Sequence, residues 1–474
     1  MAKGKRRSIA LSFLLLSLLF ASHLRLDLSP LHLWKHQLSY RPSTRSNKER
    51  DGAELESSRA YNYKLALTRL VRAHWASLNN GLQAQSLGRA LRELTLNGLT
   101  CISDTESDLC LTSSSVRIAT ASGGGATVFL AAGQKLPLHS PSPFTIRPYP
   151  RRTDPTAMAR TSAVALVAGD PSPCNFTHPF PAIVFSAGGF AGNFFHDIND
   201  VLIPLFLTSS PFRSRAHLFI TDLRPFWLRK FGRILLRLSP FPPISPSVPA
   251  EVHCFPAAVI GLKYHGNLLC NETEPPGFLS TADFREFLRF SLSLSHLHRV
   301  AAGEKPLLVL ISRKNSRVIL NEDEVVEMAG DVGFKVAVVS PEKMAAVEEF
   351  AAVVNGCGVL MGVHGAGLAN MVFLPTAAAI LQVVPWGLDW AATAYYGRPA
   401  KRLGLKYMEY HITIKESTLY DKYPRDHPVI ADPWSINLQG YNISRPVYTD
   451  GQNLTLDLVR FRDTLVRVWE LLQL

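Results

Sequence analysis

The stretch Val353–Trp386, VVNGCGVLMGVHGAGLANMVFLPTAAAILQVVPW, decides the fold of this chain. Its two apolar runs, Val359–Val363 and Ala379–Val384, have the length and composition of buried strands. Between them, the glycines of His364–Asn370 (HGAGLAN) permit a tight turn, and the helix that follows has free N–H groups that can hold an anion. The stretch therefore predicts strand, turn, short helix and strand. His364 lies at the carboxyl end of the first strand, where open α/β sheets bind ligands.

Two further strands and two helices are predicted before this stretch. The apolar runs Pro306–Ile311 and Phe334–Val339 predict the strands, and Asn321–Glu324 (NEDE) resembles a capping box that opens a helix between them. Pro341–Val354 predicts the second helix. Because strands and helices alternate, we expect a parallel Rossmann-like sheet with helices on both faces.

Three cationic side chains, Arg313, Lys314 and Arg317, follow the first of these strands. Because the carboxyl ends of parallel strands meet at one edge of a sheet, we expect these cations to line the same crevice as His364. Arginine suits a diphosphate there, since it grips phosphate with two parallel hydrogen bonds. The alternative is a solvated basic loop, because charge clusters are common on protein surfaces. The sequence contains neither a P-loop nor a GxGxxG dinucleotide motif.

A second glycine turn lies in the first part of the chain. The strand Ile183–Phe185 leads into glycines and then into a helix that begins near Asn193. On this helix His196 and Asp200 are one turn apart on the same face, with Asp197 beside them. Such a group at a cleft can supply a general base that removes a hydroxyl proton; a local polar pair that caps the helix is the equal alternative. Two carboxylates without further ligands make a weak metal site, and no metal is predicted.

The N-terminus predicts a membrane anchor. Four basic residues between Lys3 and Arg7 precede the apolar segment Ile9–Leu24, an order that gives a cytoplasmic N-terminus and a lumenal remainder. A cleaved signal peptide is the competing interpretation, but no convincing small-x-small cleavage motif follows, so we favour an uncleaved signal anchor. Four glycosylation sequons agree with a lumenal location: Asn175, Asn271, Asn442 and Asn453.

The six cysteines suit an oxidising lumen. The pairs Cys101–Cys110 and Cys254–Cys270 are plausible disulfides, although the sequence leaves their connectivity open. We expect Cys357, among apolar residues, to be a buried free thiol. The net charge of +12 would suit an anionic ligand, but no basic run with interleaved aromatic residues indicates a nucleic acid partner.

Several blocks together resemble glycosyltransferase family 61, in particular its grass xylan arabinosyltransferase and xylosyltransferase branch. The matching blocks are Arg147–Arg151 (RPYPR), Phe185–Asp200, Cys254–Pro256, Ile311–Glu324, Val353–Trp386 and Tyr420–Pro433. The resemblance implies a GT-B fold, in which two Rossmann-like lobes face a cleft, and inverting transfer from a UDP-sugar. It also implies a single-pass type II protein of the Golgi membrane with its catalytic domain in the lumen.

The resemblance and the patterns above give the following boundaries. We expect a cytoplasmic tail (residues 1–8), a signal anchor (9–24), a stem (25–100), an N-terminal lobe on the acceptor side (101–298), a C-terminal lobe on the donor side (299–450) and a last helix (451–474) that returns to the first lobe.

The resemblance also implies roles for individual residues. One of His196, Asp197 and Asp200 would be the catalytic base, and which of the three acts is left open. The residues expected to bind the donor are Arg313, Lys314, Arg317, Glu322, Glu324, His364, Gly365, Ala366, Gly367, Leu368 and Asn370. We expect no essential cofactor or metal, because cationic side chains and helix N–H groups would stabilise the departing UDP.

The same branch implies the substrates and partners. The donor would be UDP-arabinofuranose or UDP-xylose, the acceptor a xylan backbone, and the partners the Golgi membrane and other Golgi glycosyltransferases. One alternative is a β-1,2-xylosyltransferase that acts on N-glycan cores. Another is a non-catalytic Golgi subunit that binds glycans or acts as a scaffold for other transferases.

Overall fold

The computed structural model describes residues 63–74, 82–121, 124–134, 136, 143–169, 173–248, 250–270, 279–295 and 304–473. The predicted cytoplasmic tail, the signal anchor, much of the stem and the sequon at Asn271 lie outside these residues. Within the described part, no helix is long and apolar enough to cross a membrane. All of the described residues belong to one compact unit. Below, residues up to 295 are called the N-terminal half and residues from 304 onwards the C-terminal half.

The N-terminal half contains two mixed sheets. Its strands are β1 (Leu99–Ser103), β2 (Asp108–Thr112), β3 (Val116–Thr120), β4 (Ala126–Leu130), β5 (Phe144–Ile146), β6 (Val164–Ala168), β7 (Phe176–Thr177), β8 (Ala182–Ser186), β9 (His217–Thr221), β10 (Val252–Phe255) and β11 (Ala258–Ile260). The five-stranded sheet has the order β1-β2-β11-β8-β9, and the six-stranded sheet has the order β5-β6-β4-β3-β10-β7. The sequence predicts one Rossmann-like lobe here. The structure has three adjacent parallel strands, β11, β8 and β9, and the parallel pairs β4–β6 and β7–β10, while the hairpins β1–β2 and β3–β4 pair antiparallel.

Besides the helical residues 63–74, five helices accompany these sheets in the described part. They are α1 (Leu82–Leu96), α2 (Pro155–Ala159), α3, α4 (Pro225–Leu238) and α5 (Thr281–Leu292). Helix α3 is a composite of an α-helical turn (Phe194–His196), a π-helical segment (Asp197–Leu202) and a further α-helix (Ile203–Ser209). The sequence predicts a stem up to residue 100, whereas residues 63–74 are already helical and bury Leu67 and Val71. The folded part therefore begins earlier than predicted.

The C-terminal half confirms the predicted parallel sheet. Its strands are β12 (Leu307–Ile311), β13 (Lys335–Val339), β14 (Val359–Val363), β15 (Ala379–Val384) and β16 (Lys406–His411). They pair in the order β13-β12-β14-β15-β16, and every pairing is parallel. Every residue of β14 and β15 is buried, as the continuous apolar runs predict for central strands. The carboxyl ends of all five strands consequently share one edge.

The helices of this half surround the sheet and its carboxyl-end loops. They are α6 (Glu322–Val332), α7 (Pro341–Ala345), α8 (Val347–Asn355), α9 (Asp389–Ala392), α10 (Arg398–Arg402), α11 (Leu419–Lys422), α12 (Pro428–Ala431), α13 (Pro433–Asn437), α14 (Tyr441–Ser444) and α15 (Leu458–Gln473). A 3₁₀ helix (Ala366–Phe373) follows β14, and a π-helical segment (Thr393–Gly397) follows α9. The predicted helix Pro341–Val354 is thus two helices, α7 and α8.

The predicted capping box at Asn321 is wrong. Asn321 does precede α6, but its side chain makes no capping hydrogen bond. Its amide instead donates to Leu456 O (2.9 Å) and accepts from Leu456 N (2.9 Å). The Asn321 side chain therefore hydrogen-bonds to the distant backbone of Leu456 and not, as the local pattern predicts, to the start of the helix.

One predicted disulfide is confirmed and one is wrong. Cys101 and Cys110, opposite one another in the hairpin β1–β2, are bonded. Cys254 pairs with Cys174 and not with Cys270, because the parallel pairing of β7 with β10 brings a residue 80 positions away alongside it. Cys270 and Cys357 are both buried.

The prediction that the last helix returns to the first lobe is also wrong. Helix α15 packs on the parallel sheet of its own half, where Phe461, Leu465 and Val468 are fully buried. Trp469 lies against Gly333, at the end of α6. The apolar face of α15 therefore completes the core of the C-terminal half.

Helix α5 joins the two halves. Arg285 donates to Leu403 O (2.6 Å) and to Thr376 Oγ1 (2.9 Å), and Arg289 donates to Leu374 O (3.0 Å). Both arginines are buried, so these hydrogen bonds satisfy donors that would otherwise be costly. The carbonyls that they bind follow the 3₁₀ helix and α10, so α5 holds the segments that lead into β15 and β16 against the N-terminal half.

Candidate active site

The glycine turn after β8 positions the first group of site residues. Gly189 has φ 55°, and a Cβ there would lie 2.6 Å from the Tyr149 ring, so both conformation and space require glycine. Asn193 then caps α3 by accepting from Phe195 N (3.1 Å). The helix continues as a π-helical segment, which brings His196 and Asp200 into contact four residues apart.

Asp200 is the centre of this group. Its side chain is fully buried, and Oδ2 accepts from Tyr149 OH (2.8 Å) and His196 Nδ1 (2.7 Å). Oδ1 accepts from Arg151 Nε (3.1 Å) and Asn199 Nδ2 (2.6 Å), while Arg151 Nη2 also lies 3.1 Å away. Both oxygens are therefore occupied by donors of the protein itself.

These donors keep Asp200 ionised. Burial alone would raise its pKa, but the hydrogen bond from His196 and the charge of Arg151 outweigh burial and hold the pKa below its usual value. Because a carboxylate can only accept, His196 must donate through Nδ1, which leaves its Nε2 as the acceptor. The His196 side chain is 22% exposed, so this nitrogen belongs to the accessible part of the group. The pair can therefore take up a proton at His196 and stabilise it with Asp200.

Asp197 has a different set of contacts. Its fully buried carboxylate accepts from Gly192 N (2.8 Å) and Trp227 Nε1 (2.9 Å), and Lys230 Nζ lies 3.4 Å away. Burial raises its pKa in spite of Lys230. These contacts fix the glycine turn to α4, so the structure separates Asp197 from the pair that it joins in the sequence.

The second group follows β12 and β14 at the carboxyl edge of the parallel sheet. Arg313 Nε donates to Ser316 O (2.8 Å), and Arg317 Nη1 donates to His364 O (2.6 Å). A Cβ on Gly365, which has φ 154°, would lie 2.7 Å from Arg313 Nη1 and 3.1 Å from Arg317 Nη1. Only glycine therefore lets two guanidinium groups approach this turn. Tyr396 OH closes the turn by donating to Gly365 O (2.7 Å).

The electrostatics of this group favour an anion. Burial lowers the pKa of Arg313, and burial together with the charge of Arg313 lowers the pKa of Arg317 to about 10. Burial, with both arginines acting in the same direction, lowers the pKa of His364 to about 3. Asp450 partly offsets the two cations but is itself bound to Arg445 at 2.9 Å. Two like charges held together in a half-buried site would be stabilised by a bound phosphate group.

The remaining predicted donor residues fall into three positions. Glu322 accepts from Ser312 Oγ (2.9 Å) directly after β12, which places it near the arginines. Lys314 is exposed and paired with Glu342 (2.8 Å), and Glu324 is exposed. The residues that form the turn and its helix are Ala366 and Gly367, both half-buried, and Leu368 and Asn370, both buried. Asn370 donates to Gly367 O (2.8 Å), so it supports the turn.

The two groups meet through aromatic side chains. Phe194 packs against Phe373 with ring centroids 6.1 Å apart, and Phe195 meets Tyr395 edge-on at 5.4 Å. The Tyr395 ring in turn lies 6.2 Å from that of His364. Helix α3 and the 3₁₀ helix are therefore direct neighbours, and the structure brings together the two motifs that are far apart in the sequence.

Several residues of the site have no predicted role. Tyr149 and Arg151 hold Asp200, Tyr264 stacks under Arg151 (5.1 Å), and Tyr395 and Tyr396 line the turn at His364. The block Arg147–Arg151 is the signal that could have found the first two, because it is one of the blocks that resemble the family. Nothing in the local sequence pattern around Tyr264, Tyr395 and Tyr396 indicates that they belong to the site.

A separate groove of about 810 Å³ lies beside the six-stranded sheet. Its lining includes Arg117, Phe129, His178 and the Cys174–Cys254 disulfide, and it contains none of the predicted site residues. Charge and hydrogen bonding, and not volume, therefore identify the site at His196 and His364.

The candidate site has an imidazole held on a buried carboxylate on one side and a turn bound by arginine on the other, an arrangement that suits group transfer. Residues 194–381 match the family described as Glycosyltransferase 61. The β-1,2-xylosyltransferase XYXT1 of Oryza sativa subsp. japonica is 34% identical over 78% of this chain and 83% of its own length. The xylan glycosyltransferase MUCI21 of Arabidopsis thaliana is 33% identical over 76% of both chains. The chain belongs to glycosyltransferase family 61.

Other comparisons cover less of the relative or are more distant. The α-1,3-arabinosyltransferase XAT3 of Oryza sativa subsp. japonica is 40% identical over 68% of this chain. This chain spans 57% of the length of that relative. The solved structure of an iron-containing heptosyltransferase covers 66% of this chain and 81% of its own, at 10% identity and a TM-score of 0.26, which is too distant to add to the assignment.

The low pKa of His364 predicts a pH dependence of stability. The pKa is about 3 in the folded protein and about 6.5 in an unfolded chain, so the unfolded chain binds one more proton between these values. The stability contributed by neutral His364 is complete above pH 6.5 and is lost as the pH falls towards 3, at up to about 1.4 kcal/mol per pH unit. Chemical denaturation at several pH values measures it.

The variant His364→Gln is the control, because it cannot take up that proton. The difference in free energy of unfolding between wild type and variant should shrink as the pH falls through this window. Equal slopes for both proteins would contradict the assignment, as would an NMR titration of His364 with its midpoint near 6.5.

Proposed function

We propose that this protein transfers arabinofuranose or xylose, with inversion, from a UDP-sugar to the backbone of xylan. The observation that carries the proposal is that Phe195 and Tyr395 join the helix of the His196–Asp200 pair to the arginine-bound turn at His364. Relatives named as an α-1,3-arabinosyltransferase, a xylan glycosyltransferase and a β-1,2-xylosyltransferase support the choice of substrates.

Transfer requires a base on the acceptor side. His196 Nε2 would accept the proton of an acceptor hydroxyl as its oxygen bonds to the anomeric carbon of the donor. Asp200 would stabilise the imidazolium that results, while Tyr149 and Arg151 keep its carboxylate oriented. In this scheme Asp200 is a positioning residue, and Asp197 fixes the glycine turn.

Departure of UDP requires positive charge on the donor side. The bond between the anomeric carbon and the diphosphate breaks as the new bond forms, and the electron pair leaves with UDP. Arg313 and Arg317 flank Gly365 and would bind the diphosphate oxygens. Glu322 after β12 is placed to accept from a ribose hydroxyl, and neutral His364 would line the donor pocket.

The same division fits a GT-B arrangement. The parallel sheet β12–β16 would be the donor lobe, and the parallel core β11-β8-β9 with its additional hairpins would be the acceptor lobe. The contact region between α3 and the 3₁₀ helix would form the floor of the cleft.

Substitutions of His196 and of Arg313 should impair sugar transfer in different ways. His196→Ala should lower kcat by about 10²–10⁴-fold with little change in UDP affinity, because it removes the base and not the donor site. Arg313→Ala should weaken UDP binding and raise the KM for the UDP-sugar. The measurements are calorimetric UDP binding and transfer of labelled pentose to xylo-oligosaccharides by the full chain in detergent.

Asp197→Asn is the matched control, because it changes the neighbouring carboxylate on the same helix. It should keep most of the transfer activity in the folded fraction. Full activity in His196→Ala would remove the proposed base, whereas label on N-glycan cores would favour the N-glycan xylosyltransferase. Neither transfer nor UDP binding by the wild type would favour the scaffold.

We propose that catalysis needs no metal ion. Both oxygens of Asp200 are occupied by donors of the protein, and two arginines already supply positive charge at the donor turn. Transfer should therefore continue at full rate in excess EDTA. Loss of activity that Mn²⁺ or Mg²⁺ restores, but Ca²⁺ does not, would contradict this proposal.

We also propose a lumenal location in the Golgi with a type II anchor. The disulfides Cys101–Cys110 and Cys174–Cys254 suit an oxidising compartment, and Asn175 and Asn442 are exposed. The third described sequon asparagine, Asn453, is half-buried, and its Oδ1 accepts a hydrogen bond from Val318 N (3.0 Å). A C-terminal tag should resist protease in intact Golgi vesicles, and Asn442→Gln should remove one endoglycosidase-sensitive mass step. Digestion of the tag in sealed vesicles would exclude this topology.

A further inference from the structure

The loops after β15 and β16 carry an exposed aromatic and polar surface that continues the site away from the arginines. Strand order places β14, β15 and β16 side by side, so their carboxyl ends form one row. His364 follows β14, Trp390 lies in α9 after β15, and His411 is the last residue of β16. The row extends on the side of His364 opposite to β12, which is the strand that precedes Arg313.

Trp390 is connected to the site by a series of ring contacts. Its ring meets Tyr395 at 6.1 Å and 65°, and Tyr395 meets both Phe195 of α3 (5.4 Å) and His364 (6.2 Å). Trp390 is nevertheless 42% exposed. A ring fixed at one edge and open to solvent on its remainder offers a flat apolar surface to a ligand that leaves the cleft.

A hydrogen-bonded cluster of charged groups lies in the same row. His411 Nδ1 binds Asp389 Oδ1 (2.7 Å), and His411 Nε2 binds Glu409 Oε2 (2.7 Å). The side chains of Asp389 and His411 are 64% and 47% exposed. The hydrogen bond to Asp389 is the main reason that the pKa of His411 is raised to about 9, so the imidazolium and both carboxylates are charged near neutral pH.

This combination suits a sugar ring. The faces of a pyranose present C–H groups that pack on an aromatic ring, and its edges present hydroxyls that donate to carboxylates. Asp389 and Glu409 would repel a polyanion, and a purely apolar ligand would displace the water around these charged groups without replacing its hydrogen bonds. A neutral, hydroxyl-rich chain satisfies both halves of the surface.

We propose that Trp390, together with Asp389 and His411, forms a distal subsite that binds a pyranose residue of the acceptor chain, away from the residue that reacts. The inference rests on the proposed transfer to xylan and adds where a long acceptor lies. The chain leaves the base at His196, passes Tyr395 and reaches Trp390. The donor occupies the opposite direction, towards Arg313.

The subsite makes acceptor length matter. A short acceptor reaches only the base, whereas a long one also gains the contact with Trp390. Trp390→Ala should raise the KM for xylohexaose about five- to tenfold, the factor that an aromatic contact of about 1–1.4 kcal/mol provides. The KM for xylotriose, kcat and the KM for the UDP-sugar should not change. Trp390→Phe should restore most of the preference for the long acceptor.

Two further variants separate the subsite from general effects. Asp389→Asn should also raise the KM for xylohexaose and not the KM for xylotriose, because it removes a carboxylate that accepts from a hydroxyl and that pairs with His411. Phe176→Ala removes another exposed ring, which stacks on His253 beside the six-stranded sheet, and should leave every KM unchanged. Equal losses for short and long acceptors, or a higher KM for the UDP-sugar in Trp390→Ala, would overturn the subsite while leaving the proposed function intact.

Binding without turnover decides the matter independently. Calorimetry with xylohexaose should give a five- to tenfold weaker affinity in Trp390→Ala than in wild type, about the same factor as for KM. If the wild type transfers no pentose but still binds xylohexaose five- to tenfold more tightly than Trp390→Ala does, the proposed reaction fails and the subsite stands. If the wild type binds no xylohexaose, the subsite is overturned.

Discussion

The site depends on the buried carboxylate of Asp200. It joins Tyr149 and Arg151, which follow β5, to His196 and Asn199 on α3. Removing one partner of such a buried ion pair typically costs about 3–5 kcal/mol, because the remaining charge is left without compensation. The same contacts that orient His196 therefore also hold the glycine turn and α3 in place. Stability and the orientation of the base rest on one group, and a variant at Asp200 will disturb both.

The donor side uses the opposite arrangement, because its charges are not compensated within the protein. Arg313 and Arg317 converge on Gly365, and Asp450 offsets their charge only in part. Burial makes this costly, and it also drives His364 to its neutral form. In the proposed reaction, the free energy that the two cations cost in the unliganded protein would be regained when a diphosphate binds, which would give specificity for a phosphorylated donor over a free sugar. One half of the site is thus complete without substrate, and the other is completed by it.

Local patterns predicted the elements whose determinants are local. The continuous apolar runs of β14 and β15 give their bounds residue by residue, and the capped turn at Asn193 gives the start of α3. The predictions that were wrong share a cause, namely an interaction with a residue far away in the chain. The backbone of Leu456 hydrogen-bonds to the side chain of Asn321, and β7 brings Cys174 to Cys254. The separation of Asp197 from the His196–Asp200 pair depends on α4, which helical periodicity alone does not reveal.

The boundary between the two polar groups is apolar, and this determines how they can act together. Phe194 and Phe195 meet Phe373 and Tyr395 through ring contacts that do not change with charge. Loss of a diphosphate, or protonation of the base, therefore alters the field across the cleft without altering what holds the halves at this point. The buried arginines of α5 add hydrogen bonds to the loops behind the same contact. In the proposed reaction, such an apolar contact would let the donor and acceptor sides change charge while the contact between them is kept.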